Sequence, residues 1–313
     1  MNSAVSVIYV NFNTSQLLLQ SIRSLINVCR VVPFEILIVD NASAAEEKQQ
    51  LQDGVSKLKV ENIRILESDA NLGFGAANNL AAKQSTAPFL FFLNPDTIIV
   101  NDVLTIFSDF LAQAPSNIGA CGAKLLKPDL TTNDSYGNFP GIRQELAMTG
   151  LGFRFLMNNY RQNVAIAHAA PIRRSTVPYI VGADIFIRRE VFELLKGFDE
   201  NYFLYYEETD LFRKMKAKAI QAYILPEAEI IHLEGAAVGQ ATDNQFNITK
   251  FRFLLRSKLY YHSKWQPAWK SAMIRIIVLV QIFIQFAKGN MGTRLAPLLR
   301  AYIGSRPPAL PKP

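Results

Sequence analysis

Two adjacent carboxylates, Glu207 and Glu208, follow an aromatic run in Phe203-Leu-Tyr-Tyr-Glu-Glu-Thr-Asp-Leu-Phe-Arg213, and a third, Asp210, stands where a helix should open. Like charges this close cannot all ionise without cost, so at least one pKa should rise toward the range a general base needs. A plain helix start would use the same residue types, because carboxylates complement the positive end of the helix dipole. Two further segments add to the chemical reading. Asn94-Pro-Asp96 follows an apolar run, and proline cannot extend a strand, so the chain should turn there and expose Asp96 at the sheet edge. His232 closes the late apolar run Ile230-Ile-His232. A carboxylate at such a turn suits Mg²⁺ or Mn²⁺, which take one or two carboxylates together with phosphate oxygens of a substrate. Singly, Asn-Pro-Asp is an ordinary turn and a lone histidine a structural hydrogen-bonder. His168 and His262, in polar or basic settings, are read as structural.

The elements that must position these groups alternate in type. Val5–Val10 reads as a strand, Leu17–Val28 as a helix capped by Ser15 or Thr14, and Phe34–Val39 as a strand stopping at Asp40-Asn-Ala-Ser43. Helical composition continues to about Lys59, Ile63–Glu67 is a third strand, Gly73–Lys83 a helix, and Pro88–Leu93 a buried fourth strand. Short apolar strands alternating with helices predict a mostly parallel sheet covered on both faces. Polar motifs then fall at the ends of strands one, two and four: Asn11 and Asn13, Asp40, and Asn94 with Asp96. Open α/β sheets bind ligands there. Asp40 serves as a cap for the following helix; a carboxylate in its place can also accept the ring N–H of a pyrimidine. Asn71-Leu-Gly-Phe-Gly-Ala-Ala-Asn-Asn79 has two glycines at dinucleotide spacing, but Asn78 holds the third position and the motif follows the third strand, which argues against a nicotinamide cofactor. Residues 128–178 read as an irregular excursion over the sheet. Val177–Ile187 follows as one strand in which Gly182 lets backbone approach a ligand, then a helix at Arg189–Leu195, a helix from Asp210 to about Ala219, and a strand at Ala222–Leu225.

Charge is unevenly placed. Of 33 lysines and arginines, twelve lie between Lys250 and Lys312, and no acid follows Asp243; residues 1–243 hold the other 21 against all 26 acids, a net of −5. A cationic block of this kind seeks a polyanion, either nucleic acid or an anionic membrane face. Ala272–Ala287 is very apolar yet shorter than the roughly 20 residues of a spanning helix. On a helical wheel Lys270, Gln281, Gln285 and Lys288 share one side, as in an interfacial helix. The acidic body and this apolar segment argue against nucleic acid. Cys29 and Cys121 show no ligand spacing and read as buried thiols in a reducing compartment. The N-terminus lacks the basic start and long apolar run of a signal peptide.

In order, Val10-Asn-Phe-Asn, Val39-Asp-Asn-Ala-Ser, Asn71-Leu-Gly-Phe-Gly-Ala-Ala-Asn-Asn, Leu93-Asn-Pro-Asp, Gly182-Ala-Asp-Ile-Phe-Ile-Arg-Arg, Gly197-Phe-Asp-Glu, Tyr206-Glu-Glu-Thr-Asp-Leu and Ile230-Ile-His resemble family 2 glycosyltransferases, and within them the rhamnosyltransferase-like group. The resemblance covers about residues 4–240. It implies a GT-A fold, that is, a Rossmann-like α/β domain over residues 1–243 with a mostly parallel central sheet flanked by helices; charge and helical pattern add a basic, amphipathic helical tail over 244–313. It also implies an inverting, metal-dependent hexosyltransferase that uses Mg²⁺ or Mn²⁺ and a dTDP- or UDP-linked sugar, with rhamnose among the candidates. The acceptor would be a hydroxyl of a glycan or lipid-linked glycan in cell-surface polysaccharide synthesis. By position, Glu208 would be the base with Glu207 and Asp210 beside it, and Asp96 and His232 would hold the metal. Val10, Asn11, Asn13, Asp40, Asn71, Gly73, Phe74, Asn78, Asn94, Asp96 and Gly182 would line the nucleotide-sugar pocket. Asn94 replaces the first acid of the family's DxD motif, and Glu208 replaces the usual aspartate. The expected location is cytoplasmic, peripheral on the inner face of the membrane, with no nucleic-acid partner. A non-catalytic protein of the same fold that binds nucleotide sugar or lipid is the alternative.

Overall fold

A computed structural model describes residues 4–149, 167–233, 248–287 and 295–304. In chain order the elements are β1 (Val5–Asn11), α1 (Ser15–Val28), β2 (Phe34–Asp40), α2 (Ala45–Leu58), β3 (Ile63–Glu67), α3 (Phe74–Gln84), β4 (Phe89–Leu93), β5 (Thr97–Ile99), α4 (Val103–Gln113), β6 (Ile118–Leu126), β7 (Asp134–Gly137), α5 (Ile142–Met148), β8 (Ala167–Ala169), β9 (Ser175–Val177), β10 (Tyr179–Ile180), β11 (Asp184–Arg188), α6 (Arg189–Leu194), α7 (Glu207–Ala217), β12 (Gln221–His232), α8 (Ile248–Trp265), α9 (Ala268–Ala287) and α10 (Leu295–Gly304). The described residues form two compact units. One takes residues 4–137, 167–200 and 207–233; the other takes 138–149, 201–206, 248–287 and 295–304. The domain boundary expected at residues 243 and 244 lies outside the described residues.

The first unit is built on a large sheet of order β3-β2-β1-β4-β11-β6-β12-β5, with β9 also paired to β12. Strands β3, β2, β1 and β4 run parallel, β11 runs antiparallel to β4 and β6, and β12 is parallel to β6. Both faces of the central strands are buried, which is why these strands read as continuous apolar runs. Val7, Tyr9, Ile38, Phe91 and Phe186 meet Leu18, Ile22 and Leu25 of α1 and Leu104 and Phe107 of α4. On the opposite face Phe92 meets Phe192 of α6 and Phe198 at ring distances of 4.9 and 5.1 Å. Gly54 lets α2 lie close on α1: a Cβ there would sit 2.2 Å from a Leu19 methyl.

Several expectations change in detail. The stretch 177–187 is not one strand. β10 joins β7 in a separate three-stranded sheet, β11 joins the large one, and Gly182 lies in the passage between them. Both halves are apolar, so composition alone could not show the change of sheet. β12 continues through residue 226 to His232 with a bulge against β6 between Leu225 and Glu229, where the sequence suggested a strand ending at Leu225. The 128–178 excursion contains β7, α5, β8 and β9; its residues 150–166 lie outside the description.

The second unit packs α8, α9 and α10 around Leu255, Leu259, Ile274, Val278, Ile282 and Leu298, with Ile142 of α5 against them. A second cluster joins Tyr202, Tyr260 and Tyr261. Helix α9 starts just after Pro267, so it is 20 residues long and its length does not exclude a span, contrary to the sequence reading. Gln281, assigned to a water-facing side, instead donates to the backbone carbonyl of Glu145.

Candidate active site

The strand register sets the first half of the site. Asn11 ends β1 directly opposite Asp40 at the end of β2, beside the point where strand order reverses between β1 and β4. The Asn11 amide donates to Asp40 Oδ2 at 3.0 Å, and the Ser43 backbone N–H donates to Asp40 Oδ1 at 3.0 Å. Asp40 is buried; with two of its roughly four acceptor positions taken, it keeps capacity for a further donor. Thr14 holds the cap position of α1, as expected, but its side chain bonds no helical N–H; its hydroxyl and backbone N–H instead donate to Asn11 Oδ1. Asn13 is exposed, with left-handed backbone (φ 55°), and its side chain accepts from Ala44 N–H. Val10 is half-buried beside it.

Asn41, which the sequence reading passed over, links this corner to the glycine-rich loop. Its amide donates to Asn71 Oδ1 at 3.0 Å, and its own Oδ1 accepts from Leu72 N–H at 2.8 Å. The signal was its place inside Asp40-Asn-Ala-Ser43. Gly73 caps α3 at φ 83°, a conformation that favours glycine. Phe74 is half-buried and meets Phe198 edge-on at 6.2 Å. Asn78 is buried and its amide donates to the carbonyl of Phe74, the first residue of its own helix, at 3.0 Å. A Cβ on Gly75 would lie 3.0 Å from Phe198 Cβ and 3.5 Å from Glu207 Cβ, which brings α3 against the start of α7.

Glu207 and Glu208 open α7 after Tyr205 and Tyr206, two consecutive non-glycine residues in the left-handed region (φ 69° and 71°). Such outliers gather at functional sites, where they re-aim a side chain. Glu207 is buried and its Oε2 has no hydrogen-bond partner among the described residues. Burial, with the Glu208 carboxylate as second cause, pushes its pKa well above the ordinary value. Glu208 keeps part of its surface open; burial raises its pKa too, while backbone N–H groups and the Thr209 hydroxyl, 3.0 Å from Oε1, pull the other way. Two adjacent acids with raised pKa values titrate as a pair. Asp210, three residues beyond Glu207 and so about 60° from it round the helix, is buried and lies 3.6 Å from Lys214 Nζ.

The remaining residues close the arrangement. Gly182 packs on Glu208, where an added Cβ would meet Cγ at 3.5 Å, and the next carbonyl, Ala183, accepts from Asn94 N–H at 2.9 Å. Asn94 is half-buried. Asp96 is buried rather than exposed, because β12 pairs antiparallel with β5 and sets His232 opposite Thr97. Nε2 of His232 lies 3.4 Å from Asp96 Oδ1. Neither that oxygen nor His232 Nδ1 has a hydrogen-bond partner among the described residues. Buried polar atoms without partners are uncommon, and here one carboxylate and one imidazole converge, a donor set that suits Mn²⁺ or Mg²⁺ completed by phosphate oxygens. Asp184, also missed, is buried; its carboxylate accepts Ala123 N–H where β11 and β6 diverge, and burial pushes its pKa well up. Cys29 and Cys121 are buried free thiols, Cys29 raised to about 12 by burial.

The model of the family described as Glycosyl transferase family 2 matches residues 6–195, well over half of the chain. The chain belongs to glycosyl transferase family 2. It is 26% identical over 77% of its length, and 79% of the other chain, to the N-acetylglucosaminyl-diphospho-decaprenol L-rhamnosyltransferase of Mycobacterium tuberculosis. It is 21% identical over 75% of its length, and 71% of the other, to the dTDP-rhamnosyl transferase RfbF of Shigella flexneri. Among solved structures, GalNAc-T7 with UDP, GalNAc and Mn²⁺ superposes at TM-score 0.60 and 13% identity over 97% of this chain; this chain spans about half, 54%, of that one. The glycosyltransferase thus draws on a nucleotide-linked sugar through an α/β fold with a mostly parallel central sheet.

Proposed function

We propose that this glycosyltransferase moves rhamnose from a thymidine or uridine diphosphate donor to a hydroxyl of a lipid-linked glycan, with inversion at the anomeric carbon. The observation that carries the reading is the meeting of Asp96 and His232 at 3.4 Å, tied through Asn94, Ala183 and Gly182 to Glu208. The names of the mycobacterial and Shigella relatives support the sugar, and the former supports a lipid-diphosphate acceptor.

In this mechanism the acceptor oxygen attacks the anomeric carbon as Glu208 takes its proton. The bond from that carbon to the diphosphate breaks, and the nucleoside diphosphate leaves with the electron pair. Glu207, neutral when buried beside it, leaves Glu208 as the ionised member of the pair. Asp96 and His232 would hold Mg²⁺ or Mn²⁺, which when bound would neutralise charge on the departing diphosphate. Asp40 receives the ring N–H of the base, and Asn11, Asn13, Asn71 and Gly73 shape the nucleotide pocket around it. The cationic residues after 243 hold the enzyme peripherally on the anionic inner face of the membrane.

A panel of nucleotide sugars with Mn²⁺, followed by chromatography of the released nucleoside diphosphate, tests the donor. Turnover should be fastest with dTDP-rhamnose. A panel in which UDP-hexoses outpace it rejects the sugar assignment, and a product of retained anomeric configuration by NMR rejects the single displacement.

A further inference from the structure

Helix α9 is amphipathic in the reverse sense of a soluble surface helix. Every exposed residue in Ala268–Ala287 is apolar: Trp269, Met273, Ile276, Val280, Phe283 and Phe286, together with three alanines. Its polar residues, Lys270, Ser271, Arg275, Gln281 and Gln285, are all buried or half-buried. Soluble proteins place the charged face outward, and a contiguous exposed apolar stripe marks an interaction surface.

The inward face is fixed. Ile274, Val278 and Ile282 pack with Leu255, Leu259 and Leu298, and Gln281 donates to the Glu145 carbonyl and, at 3.3 Å, to its carboxylate. To span a bilayer α9 would have to leave these partners and strip Glu145 of a hydrogen bond. A second copy of the chain is disfavoured as the occupant, because residues 244–313 hold twelve cations and no acid and would repel their like. The same charge complements anionic lipid, and Lys270 Nζ sits 5.3 Å over the Trp269 ring at the helix start, the pairing of cation and aromatic found at membrane interfaces.

We propose that α9 lies in the plane of an anionic leaflet, its outer apolar stripe immersed in the acyl boundary and its polar side held inward by α5 and α8. This rests on the membrane-surface reading above and gives it an orientation. The helix is an in-plane anchor, not a span.

The full-length protein is tested on vesicles of phosphatidylcholine and phosphatidylglycerol. Both tryptophans are replaced by phenylalanine and a single one returned at 269, 276 or 283; depth is then read by quenching with lipids brominated at different acyl positions. In-plane binding gives one shallow depth at all three sites. A span gives depths stepping by about 10 Å per seven residues, roughly 21 Å in all, and overturns the orientation while leaving membrane binding intact. Lys270→Gln should lower partitioning about five-fold, and Ile276→Glu/Phe283→Glu should abolish it with an unchanged melting temperature. Failure of the parent protein to bind these vesicles at low salt overturns both the orientation and the membrane reading; donor turnover on a soluble acceptor tests the transferase reading separately.

Discussion

Glu145→Gln isolates the energetics of the second unit. Glu145 is 1% exposed, with Lys258 Nζ 2.9 Å from one carboxylate oxygen and His262 Nε2 3.3 Å from the other. Burial alone would push its pKa up, but the hydrogen bond from His262 and the charge of Lys258 outweigh it and hold the carboxyl at about 2, against an ordinary 4.5. A shift of that size corresponds to about 3 kcal/mol of folding stability. Because the folded-state pKa is depressed, this contribution is complete above pH 4.5 and is lost as pH falls toward 2. The glutamine variant keeps the shape but leaves the Lys258 ammonium buried without its carboxylate, which costs about 3–5 kcal/mol. Adding Lys258→Met should recover much of the loss, since an apolar replacement of a whole buried pair is close to neutral. Trp265 and Trp269, the chain's two tryptophans, lie on α8 and α9, so urea unfolding followed by their fluorescence reports this unit directly. At pH 7 the single variant should unfold at much lower urea, and the gap to the parent should narrow toward pH 2.5. Equal midpoints at pH 7, or a double variant weaker than the single one, would refute the electrostatic account.

Three shorter predictions concern the first unit. Glu208→Gln should reduce kcat about 10²- to 10⁴-fold with nucleotide-sugar binding retained by calorimetry; near-parent turnover would remove Glu208 from the base role. Since the Glu207 pKa is raised in the folded state, its contribution to stability is present below the ordinary carboxylate value and is lost as pH rises through the raised one. Glu207→Gln should therefore gain stability over the parent at pH 8.5 and show no gain at pH 4, measured by thermal melting. Gly73→Ala forces a side chain onto φ 83°, ψ 174°, a region open essentially to glycine alone, and should cost about 1–3 kcal/mol, whereas Gly182→Ala, meeting Glu208 only at ordinary contact distance, should melt like the parent.

The four parallel strands were legible because each is short, apolar and bounded by polar residues, and the motifs at their ends followed from the same pattern. Glu207 and Glu208 were legible as neighbours in sequence. Asp96 and His232 were not a pair by any local rule: their meeting depends on β12 returning antiparallel beside β5, and only the family resemblance joined them in advance. α4 and β6 were passed over although Asn101-Asp102 and Pro115-Ser-Asn117 frame them in sequence, and Asp102 caps α4 through Thr105 N–H. Asp184 escaped as one polar residue in an apolar run, and its neutrality comes from burial that sequence does not display. The helical wheel grouped Gln281 correctly with Lys270 but faced the group to water, because the partner that turns it inward, Glu145, lies 136 residues away.

The thinness of the proposed metal-binding set has a consequence for the order of binding. Among the described residues no group of three or more His, Cys, Asp or Glu converges, so Asp96 and His232 stand as two donors where Mg²⁺ or Mn²⁺ takes about six. Asn94, half-buried at the first position of the motif, brings no negative charge. Most of the remaining donors must then be water or the diphosphate of the substrate, so the ion should bind weakly to the free protein and tightly only with nucleotide. Reciprocity requires the same factor in both directions: if nucleotide tightens Mn²⁺ binding a hundred-fold, Mn²⁺ tightens nucleotide binding a hundred-fold. Calorimetric titration of Mn²⁺ with and without UDP or dTDP measures one arm, and titration of nucleotide with and without Mn²⁺ the other. Asp96→Asn should erase the coupling while leaving metal-free nucleotide affinity near the parent's, because Asp96 faces His232 and not the Asn11–Asp40 corner. Equally tight Mn²⁺ binding in the absence of nucleotide would mean a complete protein cage elsewhere, and Asp96 and His232 would lose their assigned role.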